Sequence, residues 1–546
     1  MKNRIEPFDL AQSPLTGKNL IEANAGTGKT YTIEGIYLRL LLEEKMGVEN
    51  ILVVTFTEAA TSELRGRIRD KIRKALRAFE TGKDSAHGED KLIEYLIQNS
   101  ADSQRSVKVL KSALAQFDEA RIFTIHGFCR RELLDQTFES RSRFDTEFIK
   151  DQRDLLSEIA QDFWRDYLYK SSEHLTAFLM DYCGNPQNLS QKLIPILNRP
   201  LKNMVTGLKS EDLDAEVEKA ENRFSDLSET WLRSRSALEE ILISHPGLSH
   251  NPYNKKNVPN WLGEMDHFIE VGNPFLIPKN LYRFSLETIS QKFNDKTAPP
   301  DHAVFHICQE LNSLLKTIKI LLEKKLIDYG KTELKKRKEQ RNLISFDDLL
   351  KNLRNALRGS MGEKLADRIR EKYHVALIDE FQDTDPIQFE IFSTVFKSDK
   401  QPVFFIGDPK QSIYNFRGAD IFAYLTAQHE TETTYTLEKN WRSDNDLIQG
   451  INSLFTFHEN PFLFKEIAFV LSTSAGINPV RGFQIDGQPQ IPMHLWYVDD
   501  NGGTISKSNG QKKVTTAVAG EIARLLNLGR KGKATILKRP FATVTE

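Results

Sequence analysis

Short apolar runs alternate with helix-period stretches at both ends of the chain, and the middle third follows a different pattern. Asn19–Ala23 is an apolar-leaning run suited to a buried parallel strand, and from Tyr31 to Leu42 the residues Ile33, Ile36, Tyr37 and Leu40 recur at helical spacing. Ile51–Phe56 is a continuous β-branched run, read as a second buried strand. Thr57 and Glu58 then open a long helix to about Phe79. A polar loop at Thr81–Ser85 and two amphipathic helices fill residues 80–118, and Arg121–Ile125 makes a third short strand. From about Arg141 to Arg341 the chain is helix-rich, interrupted by Pro/Asn/Gly stretches at 184–187, 245–260 and 297–301, and reads as an inserted domain. Strand signals return at His374–Ile378, Pro402–Asp408 and Thr434–Leu437. Strands alternating with helices on both sides of a helical insertion predict an α/β parallel sheet.

The chain has 546 residues, more than one core usually holds, so two to four domains are expected. Its 39% hydrophobic and 28% charged residues are those of a globular protein without a membrane-length apolar segment. The opening Met1-Lys2-Asn3-Arg4 with Glu6 and Asp9 lacks a signal peptide's apolar stretch, so a cytoplasmic location is expected. Cys129, Cys183 and Cys308 lie far apart, which argues against a zinc cluster or a disulfide framework. A net charge of −1 means that any nucleic-acid partner is met by a local surface.

The chemistry concentrates where strands end. Asn24-Ala25-Gly26-Thr27-Gly28-Lys29-Thr30 lies between the first strand and its helix. Gly26 and Gly28 let backbone N–H groups curl around phosphate oxygens, Lys29 reaches the outer phosphates and Thr30 offers a hydroxyl to Mg²⁺. Ala23 stands where the usual pattern has its first glycine, and a plain glycine turn is the other reading. Asp379 and Glu380 follow an apolar strand: Asp379 suits the Mg²⁺ shell beside Thr30 and Glu380 the attacking water, with strand alternation expected to keep their tasks apart. Gln411 falls at a strand end, where an amide can sense a γ-phosphate. Arg442 can neutralise transition-state charge, and Trp441 can stack on adenine; a surface ion pair and a buried ring are the alternatives. Phe56, at the end of the second strand, offers either a base-stacking face or core filling. His126 reads as a strand-end polar contact to a nucleic-acid phosphate. Tyr414 and Phe416, interleaved with Lys410 and Arg417, suit a single-strand channel. The stretch Lys324–Arg341 is either a basic patch for a DNA backbone or a solvated helix face.

Six blocks in order resemble the superfamily 1 helicases of the UvrD/RecB type: residues 23–30, Thr55–Ala60, Thr124–Cys129, Ile378–Gln388, Gly407–Asp420 and Asn440–Ser443. Within that superfamily they look most like the amino-terminal part of RecB-type beta subunits of exodeoxyribonuclease V, with AddA-type and UvrD/PcrA-type repair helicases next. The resemblance implies a RecA-like P-loop motor domain in two segments, 1–140 and 341–445, a helical insertion at 141–340 and the start of a second motor domain at 446–546. It implies an ATP- and Mg²⁺-dependent 3′–5′ translocase acting on single-stranded and duplex-end DNA, partnered by gamma- and alpha-type subunits. By the same carry-over Ala23 to Thr30 and Trp441 hold the nucleotide, and Thr30 and Asp379 hold the metal. Lys29, Glu380, Gln411 and Arg442 serve hydrolysis, while Phe56, Thr57, His126, Tyr414 and Phe416 line the DNA path.

Members of that family continue through a second motor core and a nuclease domain. The expectation is therefore a portion of a motor that binds nucleotide and hydrolyses it slowly. A DNA-binding or assembly module with a vestigial ATP site is the alternative from another class. An unrelated P-loop kinase or transporter ATPase is disfavoured by about 350 residues between Lys29 and Asp379.

Overall fold

The structure is a computed structural model that describes residues 4–81, 90–136, 146–149, 151–197, 212–249, 251–293, 299–397, 401–413, 420–431, 433–462, 464–475, 483–498 and 503–536. It forms two compact units, one of Met1–Phe144 with Asp347–Glu546 and the other of Asp145–Phe346.

The first unit is built on seven parallel strands: β1 (Arg4–Pro7), β2 (Lys18–Ala23), β3 (Ile51–Thr55), β4 (Arg121–Thr124), β5 (Val375–Ile378), β6 (Val403–Gly407) and β7 (Thr433–Leu437). Their order is β1-β7-β2-β6-β5-β3-β4, which gives the RecA-like α/β sheet. The edge strand β1 was not signalled by the sequence: Arg4-Ile5-Glu6-Pro7 has no apolar run, and its order comes from backbone pairing with Thr433–Thr436. Interior strands are apolar on both faces because helices cover both. Phe404 and Ile406 point into a core with Ile33, Ile36, Tyr37 and Leu40 of helix α1 (Lys29–Leu42) and Leu64, Ile68 and Ile72 of helix α2 (Glu58–Thr81). Phe405, between them, faces the other way onto Phe381 and Phe389, and Phe381 in turn meets Tyr424.

Three sequence-level expectations shift. The second strand stops at Thr55, leaving Phe56 and Thr57 in the connection to α2. The third stops at Thr124, and Ile125 and His126 already belong to helix α3 (Ile125–Asp135), because the Thr124 hydroxyl accepts the Gly127 N–H at 3.1 Å and caps it. Asp379 and Glu380 lie beyond β5, so alternation is not what separates them: Glu380 sits in left-handed backbone at φ 49°.

The second unit is helical. Its longest helix, α4 (Ala303–Gln340), runs against Leu213–Ser244 around Phe305, Leu311, Ile318, Phe224 and Trp231. Its basic end is largely neutralised within the unit: Arg337 pairs with Glu158 at 3.3 Å, with Asp162, and with Glu333 at 3.6 Å. Arg341 reaches Glu158 at 2.7 Å, Lys336 reaches Glu333 at 3.3 Å, and the Lys338 ammonium donates to the Ser345 hydroxyl at 3.0 Å. Of the two readings of Lys324–Arg341, these pairs weigh against the DNA-backbone patch, and at Arg337, 12% exposed, the face is packed rather than solvated.

Candidate functional site

Strands β2, β6 and β5 are neighbours and parallel, so Ala23, Gly407 and Ile378 end at one edge and bring residues from three distant segments together. Open α/β sheets bind ligands at such carboxyl edges. Gly26 at φ +82° and Gly28 at φ +96° shape the loop after β2. A Cβ on Gly26 would lie 2.8 Å from Cβ of Arg442 and 3.0 Å from Oδ1 of Asn440, so only glycine fits under that segment. The Thr27 hydroxyl donates to the Asn24 carbonyl at 2.8 Å and pins the turn. Helix α1 has no side-chain cap and no acidic residue in its first turn, which leaves its positive end for an anion.

Lys29 points from that helix end to Glu380, donating to Oε2 at 2.5 Å. Three carboxylates crowd this one ammonium. Burial, then the neighbouring Glu380 charge, pushes Asp379 up to about 6, with Lys29 acting in the opposite direction. Asp383 is likewise pushed up to about 6 by burial and Glu380, and its buried Oδ1 has no hydrogen-bond partner among the described residues. Negative charge in excess of its cation is the chemistry of a site that takes a divalent ion. Among the described residues no cluster of three or more His, Cys, Asp or Glu is arranged for a metal. Mg²⁺ needs none, since it binds through one or two protein oxygens plus water and phosphate. Asp379 and Asp383, carboxylates gathered around one ammonium, are oxygen donors of that kind, and the sequence reading gave Asp383 no role.

Gln411 follows β6 in a short turn and donates from Nε2 to Oδ2 of buried Asp408 at 2.8 Å. The Asn440–Arg442 segment folds over the loop: Trp441 N–H donates to the Gly26 carbonyl at 2.8 Å, and Asn440 Nδ2 donates to that of Ala25 at 2.9 Å. Asn440 Oδ1 in turn accepts the N–H groups of Arg442 and Ser443, both at 2.9 Å. Trp441 is 53% exposed and Tyr31 41%, and both approach Gly28, at 4.0 and 3.9 Å from where its Cβ would lie. The role of Asn440 in holding this segment was missed by sequence reasoning; an amide directly before Trp441 was the available signal, while the Tyr31 ring is taken up by the Asp90 carboxylate at 2.8 Å and the Lys71 ammonium at 4.0 Å.

Farther along the same edge, Phe56 and Thr57 follow β3, and His126 lies in the first turn of α3 after β4. Thr57 is exposed and its hydroxyl accepts the Ala60 N–H at 3.1 Å, starting α2. Thr124 donates to Glu58 Oε1 at 3.0 Å, joining the two loops. Burial lowers the pKa of His126, with Asp347 opposing, so the ring is held toward its neutral form. Tyr414 and Phe416 lie outside the described residues.

The family model for the UvrD/REP helicase N-terminal domain matches residues 8–432. The chain is 34% identical over 556 aligned positions to the RecBCD enzyme subunit RecB of Escherichia coli K12, covering 98% of this chain and 46% of that protein. It is 34% identical to the subunit of the same name from Haemophilus influenzae, over 91% of the chain and 44% of the relative. It is 32% identical to that of Buchnera aphidicola subsp. Acyrthosiphon pisum, over 97% and 45%. The chain thus spans a little under half the length of these relatives.

Proposed function

The chain belongs to the UvrD/REP helicase family, and on that premise we propose that it is the ATP-dependent 3′–5′ DNA translocase portion of a RecB-type subunit. Its setting would be cytoplasmic double-strand break repair and recombination, with gamma- and alpha-type partner subunits of exodeoxyribonuclease V. Among the described residues no helix is long and apolar enough to cross a membrane. The observation that carries the reading is the convergence of Lys29, Asp379, Glu380 and Gln411 on one sheet edge beneath an uncapped helix end.

In this reading the loop N–H groups from Asn24 to Thr30 cradle the phosphates, and Lys29 leaves Glu380 to meet the outer ones. Thr30 and Asp379 would hold Mg²⁺, which would supply positive charge to offset that of the phosphates. Glu380, freed of Lys29, orients the attacking water, while Gln411 and Arg442 approach the γ-phosphate. Trp441 faces the base. Phe56, Thr57, His126, Tyr414 and Phe416 form the DNA path.

Segments 1–140 and 341–445 act as the first motor domain, 141–340 as a helical accessory domain and 446–546 as the start of a second motor domain. Support for the last is the helix Lys507–Arg530, where Val514, Val518, Ile522 and Leu526 are 42–60% exposed at intervals of four, a stripe of the kind that packs on a sheet. Titration of the chain with MgADP and with a non-hydrolysable Mg-triphosphate, against Lys29→Ala, tests the reading. Binding that weakens by about a hundredfold in the variant supports it; equal binding by both proteins overturns it.

A further inference from the structure

Gln382 has no assigned task, yet it is 2% exposed and joins two strand ends through one rigid amide. Its Nε2 donates to Glu380 Oε2 at 2.8 Å, and its Oε1 accepts the backbone N–H of Asp408 at 2.9 Å. Carboxylates only accept and a backbone N–H only donates, so the amide has one orientation that satisfies both ends. Asp408 continues the chain: Oδ2 accepts Gln411 Nε2 at 2.8 Å, and Oδ1 accepts the Lys410 N–H at 3.1 Å and its ammonium at 2.8 Å. The Gln382 carbonyl also accepts the Ser412 hydroxyl at 3.2 Å.

The strand beside it is shaped for this amide. A Cβ on Gly407 would stand 2.6 Å from Gln382 Oε1 and 3.0 Å from the Gln382 backbone nitrogen, so a glycine at the end of β6 is what lets the side chain cross. One unbroken path therefore runs from Lys29 through Glu380, Gln382 and Asp408 to Gln411.

We propose that Gln382 is a positioning residue that couples the water-orienting carboxylate of Glu380 to the γ-phosphate-facing amide of Gln411, so that the two groups change position together. When Lys29 leaves Glu380 for a phosphate, the carboxylate loses its strongest donor. Its other side-chain tie among the described residues is the Gln382 amide, and movement there is passed to Asp408 and on to Gln411. The proposal rests on the nucleotide-site reading above and goes beyond it in naming what joins the two groups.

The test compares wild type, Gln382→Met, Gln411→Ala and the double variant by the ratio of dissociation constants for MgADP and Mg-AMPPNP. Gln382→Met keeps length and loses both hydrogen bonds. Gln382→Glu serves as a second variant, since it keeps an acceptor toward Asp408 but turns a carboxylate toward Glu380. Either variant is expected to cut the preference for the triphosphate about tenfold while MgADP affinity stays within about twofold. The double variant is expected to be no worse than the worse single one, the mark of residues acting through one another. An unchanged preference, losses that multiply in the double variant, or MgADP binding lost in both Gln382 variants would each overturn the inference. If wild type and Lys29→Ala bind both nucleotides alike, the nucleotide-site reading itself fails, a distinguishable outcome.

Discussion

Replacing Glu380 by Gln separates nucleotide affinity from hydrolysis. In the structure Lys29 is held by Glu380 at 2.5 Å, with the two side chains 13% and 37% exposed. Lys29 must break that contact to reach a phosphate. A hydrogen bond between charged groups contributes about 1.5–3 kcal/mol, and solvent access at Glu380 screens it toward the low end. Glu380→Gln keeps an acceptor for the Gln382 amide, removes the charge that holds Lys29, and takes one negative charge away from the incoming phosphates. All three consequences act in the same direction or are neutral. About 1.5 kcal/mol corresponds to a factor of about ten, so the variant should bind MgADP about tenfold tighter than wild type. Hydrolysis, deprived of the carboxylate that orients water, should fall by about a hundredfold or more. Isothermal titration at constant ionic strength gives the affinity, and single-turnover hydrolysis gives the rate. Asp383→Asn is the control: it removes a carboxylate from the same cluster without releasing Lys29, and its gain in affinity should be smaller. Binding by Glu380→Gln that equals or falls below wild type would refute the idea that Glu380 competes with the nucleotide for Lys29.

Gly26→Ala should lower stability by about 1–3 kcal/mol and weaken nucleotide binding together, because φ +82° and the 2.8 Å approach of Arg442 both exclude a methyl group; an unaltered denaturation midpoint would contradict this. Arg337→Ala should destabilise the helical unit by about 1 kcal/mol, since it removes a side chain only 12% exposed from between Glu158, Asp162 and Glu333, which keep Arg341, Arg165 and Lys336 as partners, while single-strand DNA affinity stays at the wild-type level. A loss of DNA affinity without a loss of stability would restore the DNA-patch reading of that helix. His126 is shifted below its ordinary pKa by burial, so the unfolded chain binds its proton more readily than the folded one. Stability is complete above about pH 6.5 and declines as pH falls below it. His126→Gln should flatten that part of the melting-temperature profile, and an unchanged slope would sink the assignment.

Local pattern was enough to locate the glycine turn between the first strand and its helix, the apolar strands ahead of Asp379 and Asp408, and the helix-rich middle of the chain. Each is a short-range signal: two glycines before a lysine, a β-branched run, a change of period. The edge strand Arg4–Pro7 left no such mark, because its order comes from pairing with residues more than four hundred positions away. The same holds for the switch of Glu380 into left-handed backbone, the packing of Asn440–Arg442 over Gly26, and the neutralisation of Arg337 and Arg341 by acids on another helix. Spacing also missed Gln382, whose amide matters only because a distant glycine makes room for it. Sequence alone determined which chemical groups this chain carries and which strand or turn presents each, since propensity and periodicity act over a few residues. Only tertiary structure decided which of them meet, because parallel strand order sets the neighbours at the sheet edge and buried charge must find its partner there.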